Sequence, residues 1–190
     1  MGLWDALRGR SRTSPPDLDS LFLVPSAAVA LQTAADLLPT GSGSVCFRAA
    51  EGAAFRDTQA EVVALLDADP EAPDVRLTVD SFGYTWLTVD RDPGDTAGLC
   101  TDLHAVNTAL EAQGFGSGLL CSLVSFVDGG GQRVGLVYLY RRGTFYPFAP
   151  TTGQQRDSLL ELRVRDALPG ELPVEQDVQR WLAVWGAPGL

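Results

Sequence analysis

Apolar positions recur along this chain with two different periods, and the changes between them mark out its elements. Leu99, Leu103, Val106 and Leu110 repeat at four, three and four residues, the spacing of one helix face, and Asp95 stands where an N-cap accepts the first free amides. Gly114 supplies the stop. An earlier helix is predicted from Ser26, as its cap, to about Leu38, where Pro39 and a loop at Gly41, Ser42 and Gly43 end it. Phe55, Val62, Val63 and Leu66 give an amphipathic helix over Phe55–Asp67, stopped before Pro70. Asp157 to Leu168 and Val174 to Trp185 read as closing helices, although Leu160, Leu162 and Val164 also alternate as a strand would.

The two-residue period appears elsewhere. Val45–Arg48 is a short strand, and Val75–Val79 and Tyr84–Val89 alternate as a hairpin joined by Asp80, Ser81, Phe82 and Gly83. Leu119–Val127 and Gln132–Arg142 flank the turn Asp128, Gly129, Gly130, Gly131, and a further strand reaches Phe148 after a turn at Gly143. The first long strand is apolar on both faces, with Leu119, Cys121 and Leu123 on one side and Leu120, Val124 and Phe126 on the other. A sheet wetted on one face would alternate cleanly. Either helices cover both faces or a partner covers one, and the number of predicted helices favours the first. The fold class is α+β, an antiparallel sheet of about five to six strands packed with helices.

Length and segment character divide the chain. Residues 1–19 form an N-terminal amphipathic segment and a tether containing Pro15 and Pro16, and residues 20–190 form a single α+β domain, since 190 residues with 45% apolar content suffice for a core. Leu3, Trp4 and Leu7 share one side of the first segment and are candidates to meet a partner or a membrane surface, with an idle, frayed terminus as the alternative. The longest apolar run, Leu21 to Leu31, carries Pro25 and Ser26 and falls short of the roughly 20 residues that cross a bilayer. No signal-peptide pattern opens the sequence. These features predict a soluble cytoplasmic protein with at most peripheral contact at the inner face of the membrane.

Composition removes chemistry more than it adds any. All fourteen basic residues are Arg, so Schiff-base chemistry and a P-loop lysine are absent, and the single histidine, His104, excludes sites built on two or three histidines. The net charge of −10 lies in the middle third, where residues 51–111 hold thirteen acids against three Arg. Such a surface repels nucleic acid, which is not expected as a partner, and suits a basic protein partner.

Few constellations carry chemistry. Cys100 and His104 stand one helical turn apart, and with Cys46 and Cys121 would complete a zinc set, but no closely spaced cysteine pair supports it; buried thiols are the plainer reading, and no metal or cofactor is expected. Ser117 among Gly114, Gly116 and Gly118 invites a hydrolase using His104 as base, yet it joins a helix to a strand, the reverse of a nucleophile elbow. Acids cluster at Asp67, Asp69, Glu71 and Asp74 and again at Asp90, Asp92 and Asp95, beside prolines, without calcium-loop spacing. Trp86, Tyr140, Arg141, Arg142 and Tyr146 are the candidate binding residues, able to stack on a ligand and hold an anion. Adjacent arginines point to opposite faces of a strand, so only one serves a given site, and the aromatics alternate as sheet core does.

At YRRGTFYPFAP (Tyr140 to Pro150), DSFGYTWL (Asp80 to Leu87), DLHAVN (Asp102 to Asn107) and the final WGAPGL, the chain resembles the actinobacterial PspA-associated PspAB family, and the likeness runs from MGLWDALRGR to the last residue. The resemblance implies a place in the phage-shock envelope-stress system, with a PspA-type coiled-coil protein and an HtpX-like membrane protease as partners, and it carries over no catalytic residues and no cofactor. The order of elements also resembles secretion-chaperone-like sandwiches. The resulting expectation is a non-enzymatic adaptor acting through protein–protein contact. A small-ligand or cation-binding sensor is the alternative, and a hydrolase using His104 ranks last.

Overall fold

The computed structural model describes residues 17–48 and 74–190, together with the helical positions Ala64 and Ala68. The predicted helix at Phe55–Asp67 and the Leu3, Trp4, Leu7 face lie outside the described residues, apart from Ala64. In order, the chain forms α1 (Val24–Ala35), β1 (Leu38–Phe47), β2 (Arg76–Val79), β3 (Thr85–Asp90), α2 (Thr96–Ala112), β4 (Leu119–Val127), β5 (Arg133–Leu139), β6 (Thr144–Phe148), β7 (Pro150–Thr151), β8 (Gln155–Arg156) and α3 (Ser158–Ala167). The six longer strands make one antiparallel sheet in the order β2-β3-β1-β4-β5-β6, and β7 and β8 pair separately. The fold is α+β.

Local chemistry sets these elements where the pattern placed most of them. Asp95 caps α2 by accepting from the Gly98 amide at 2.9 Å, and Asp157 caps α3 through the Leu160 amide at 2.9 Å. The alternation at Leu160, Leu162 and Val164 therefore belongs to a helix, with Leu160 and Val164 buried four residues apart. The first helix differs from its expected limits. It starts at Val24 with Pro25 in its first turn and stops at Ala35, because Asp36 turns left-handed (φ 54°) and returns its amide to Gln32.

The residues expected as a loop after that helix are strand. β1 begins at Leu38, and a register shift between Pro39 and Gly43 absorbs the proline, while the Thr40 hydroxyl donates to the Ser125 carbonyl of β4 at 3.1 Å. At Gly41 (φ +80°) a Cβ would stand 2.2 Å from the Arg91 carbonyl oxygen, so the close pairing of β1 with the end of β3 requires glycine there.

The helices α1, α2 and α3 pack on one face of the sheet. Val24, Ala27 and Leu31 of α1, Leu99, Leu103 and Val106 of α2, and Val164 of α3 bury against Val45, Phe47, Leu87, Phe126 and Tyr138. Each large side chain buried this way contributes about 1.5–3 kcal/mol relative to exposure. The helical stretch Leu18–Ala35, which joins a 3₁₀ turn to α1, is long and apolar enough in length and composition to cross a membrane, and its Leu21, Val24, Ala27 and Leu31 face this core.

The other sheet face corrects two expectations. Val174 to Trp185 is not a helix. Glu175 donates its amide to the Phe145 carbonyl at 2.8 Å and Phe145 donates to Pro173 at 2.8 Å, so the segment satisfies part of the open edge of β6, and only Val178–Arg180 makes a 3₁₀ turn. From there the chain crosses the second face as an irregular strap. Trp181 and Ala187 pack on Leu123, Val137, Tyr146 and Phe148, so a strap covers the face that helices were expected to cover.

Candidate functional site

A single row of the sheet forms the floor of a cavity beneath the strap. In register, Trp86 of β3 faces Cys46 of β1, Cys46 faces Cys121 of β4, and Cys121 faces Leu139 of β5. All four project to the strap side, and all four line a space of about 410 Å³ roofed by Ala183, Val184 and Trp185. The next row on this face, Ser44, Leu123, Val137 and Tyr146, is plugged by Trp181 and Ala187. The Cys46 and Cys121 side chains of the floor are smaller than Leu123 and Val137 of the next row and leave space under the strap.

The walls come from the β2–β3 hairpin and the strap. Asp80 holds the hairpin turn: its Oδ1 accepts from the amides of Phe82 (2.9 Å) and Tyr84 (3.0 Å), and its Oδ2 accepts from Trp86 Nε1 at 2.9 Å. Gly186 (φ +77°) brings the strap onto Asp80, whose Cβ lies 3.6 Å from where a Gly186 Cβ would stand. Tyr146 donates its hydroxyl to the Leu182 carbonyl at 2.9 Å and stacks on Trp181, and Phe148 meets Trp185 edge to face at 4.9 Å. At the far end the Gly189 carbonyl accepts from Ser125 (2.7 Å) and Arg133 (2.9 Å). The strap is thus pinned on both sides of the cavity.

Arg48 and Asp80 are charged residues in this lining, while the Cys46 thiol and the Tyr146 hydroxyl stay protonated. The hydrogen bond with Cys121, then burial, raises the Cys46 thiol far above its ordinary value, and burial does the same to the Tyr146 hydroxyl. Neither is poised as a nucleophile or base near neutral pH. Cys100 is also held up, to about 12, by burial. It belongs to the helical side of the sheet, away from Cys46 and Cys121, so the three-cysteine set is not brought together; among the described residues no group of three or more His, Cys, Asp and Glu is arranged for a metal.

The expected binding residues divide between places. Trp86 and Tyr146 line the cavity. Tyr140 lies on the helical side, where its hydroxyl donates to the Glu111 carboxylate of α2. Arg141 donates to the Ser117 carbonyl at 2.6 Å, and Arg142 pairs with the buried carboxylate of Glu175. The second acid cluster has structural partners: Asp90 pairs with Arg76, Asp92 accepts from the Gly94 amide, and Asp95 caps α2. His104 stacks on Phe22 at 4.9 Å, with Nε2 3.4 Å from Asp19. Phe82 and Trp185 were missed as site residues, Cys46 and Cys121 were weighed only for a zinc set, and strand alternation read across three strands is the signal that places Cys46, Trp86 and Cys121 on one face.

Glu175 fixes the start of the strap and gives it a pH dependence. Burial pushes its carboxyl up, but the Asp177 amide, the Arg142 guanidinium and the Thr144 hydroxyl outweigh this and hold it below its ordinary value. The stabilisation is therefore complete above the unfolded carboxylate pKa of about 4.3 and is lost as pH falls through the lower folded value. Urea unfolding at pH 7 and pH 3 checks this: Glu175→Gln is expected to lose less stability on acidification than the parent.

These observations define a class, an α+β domain with helices on one sheet face and a strap-roofed apolar groove on the other. The chain belongs to the PspAB family, described as PspA associated protein B, whose family model matches residues 1–189. No curated protein and no solved structure gives a significant match.

Proposed function

We propose that this protein is a non-enzymatic adaptor that binds a PspA-type protein in the cytoplasm, at or near the inner face of the membrane, as part of an envelope-stress response. The family description supports the PspA link. The observation that carries the contact reading is the lip of the groove, where Phe82, Leu120 and Leu182 are 54%, 37% and 63% exposed and border one cavity. Exposed apolar side chains gathered around a concavity mark interaction surfaces. The polar groups around them are already occupied, since both Asp80 oxygens accept hydrogen bonds and the Tyr146 hydroxyl donates to Leu182.

Capture from host lysate tests the reading, with the PspA-type protein and an HtpX-like protease as the proteins sought. The parent is expected to retain the PspA-type protein, and Phe82→Asp with Leu182→Asp to weaken that binding about thirtyfold, as the loss of one interface anchor of about 2 kcal/mol does. Capture of neither protein, in stressed and unstressed cells, overturns the adaptor; undiminished capture by the variant moves the contact elsewhere. Small-molecule binding is the second reading. The concave space beside Trp86 and Tyr146 favours an organic ligand, and of the described acids Asp90, Asp92 and Asp95 are engaged by Arg76, a turn and a helix cap.

A further inference from the structure

We infer that the groove beneath the strap is a binding site for one unbranched hydrocarbon chain, the acyl tail of a fatty acid or of a phospholipid. This goes beyond partner docking and does not depend on it. Shape is the first argument. The floor is one row of four strands from Trp86 to Leu139, which at about 4.8 Å per strand is an elongated strip about 14 Å long. The space of about 410 Å³ above it falls within the range of ligand pockets, about 300–1,000 Å³.

Charge is the second. Asp80 has both oxygens committed to Phe82, Tyr84 and Trp86, and the thiols of Cys46 and Cys121 present soft, uncharged surface. The floor itself, Trp86, Cys46, Cys121 and Leu139, carries no charged side chain, so an ionised group seated on it would lose hydration without a partner. Hydrocarbon gives up no hydrogen bond to water by entering.

Construction is the third. An apolar space left unfilled costs stability, and a purely structural face would close over it. Here the strap is pinned on one side by Tyr146 at Leu182 and on the other by Ser125 and Arg133 at Gly189, and the space between these ties stays open.

Trp86 and Trp185 both line the space, so tryptophan emission of the full chain reads occupancy directly. Titration with 9,10-dibromostearate is expected to quench that emission saturably at one chain per protein, while unbrominated stearate leaves it unquenched and competes. Vesicles of brominated phosphatidylcholine form the second arm, and quenching there alone assigns the chain to a bilayer lipid. Val184→Asp places a charge in the roof and is expected to abolish the quench with folding checked by circular dichroism. Should that variant not fold, Trp185→Phe takes its place and must lose a large part of the quenchable signal. No saturable quench in either arm overturns the proposal, as does an undiminished quench in folded Val184→Asp or in Trp185→Phe.

Discussion

Trp86→Ala is expected to lower the unfolding free energy by about 3–5 kcal/mol, measured by urea denaturation with an unchanged dependence on denaturant. The ring is 2% exposed and stands at the end of the cavity floor, between Thr78 of β2 and Cys46 of β1. Removing it extends an existing space, so little collapse offsets the lost contacts, and it leaves Asp80 Oδ2 without the indole hydrogen that holds the hairpin turn to the sheet. Trp86→Phe keeps most of the packing and loses the hydrogen bond, which should cost about 1–2 kcal/mol more than full retention. Equal stability of the alanine variant and the parent would mean that this face is not packed as described.

The second large effect lies where α3 meets the strap. Glu161 is 3% exposed, and its Oε1 accepts from the Ala149 amide at 2.9 Å and from Arg156 Nε at 2.8 Å. Arg156 in turn lies over the Phe148 ring and donates to the Trp181 carbonyl at 2.6 Å. Glu161→Ala therefore strands a half-buried guanidinium and a buried amide together. The expected cost is about 3 kcal/mol, the low end for breaking a buried pair, because the Arg156 side chain keeps 23% exposure. Glu161→Gln retains an acceptor for the Ala149 amide and should lose clearly less; equal losses would place the effect in packing rather than in the ion pair.

How far the sequence foretold this molecule depends on whether the deciding interactions were local. The Asp80–Gly83 turn, the Asp95 cap and the β4–β5 hairpin are settled by residues a few positions apart, and all three form as read. The strap failed for the opposite reason. Val174, Val178, Trp181 and Trp185 mimic helical spacing, but the edge of β6, some thirty residues back in the chain, offers Phe145 for pairing, and the bare sheet face offers more apolar burial than an isolated helix would gain. The site was half legible. Trp86 and Tyr146 carried a visible aromatic signal, whereas Cys46 and Cys121 became a floor only when β1 and β4 paired across 75 residues. The Arg141 and Arg142 pair looked like ligand chemistry and instead fastens a turn and the strap.

The strap also orders events during synthesis. The sheet and its helical layer can assemble once α3 is made, yet the second face stays bare until the residues around Trp181 to Leu190 emerge, since Ser125 meets Gly189 only across 64 positions. A nascent chain paused near α3 thus shows Leu123, Val137, Tyr146 and Phe148 to the surrounding medium. The strap is also tied to the sheet by scattered hydrogen bonds rather than a continuous ladder, and segments held so open ahead of the core. Amides of the strap should accordingly exchange their hydrogens well before those of β1 and β4, which makes this segment the molecule's natural door.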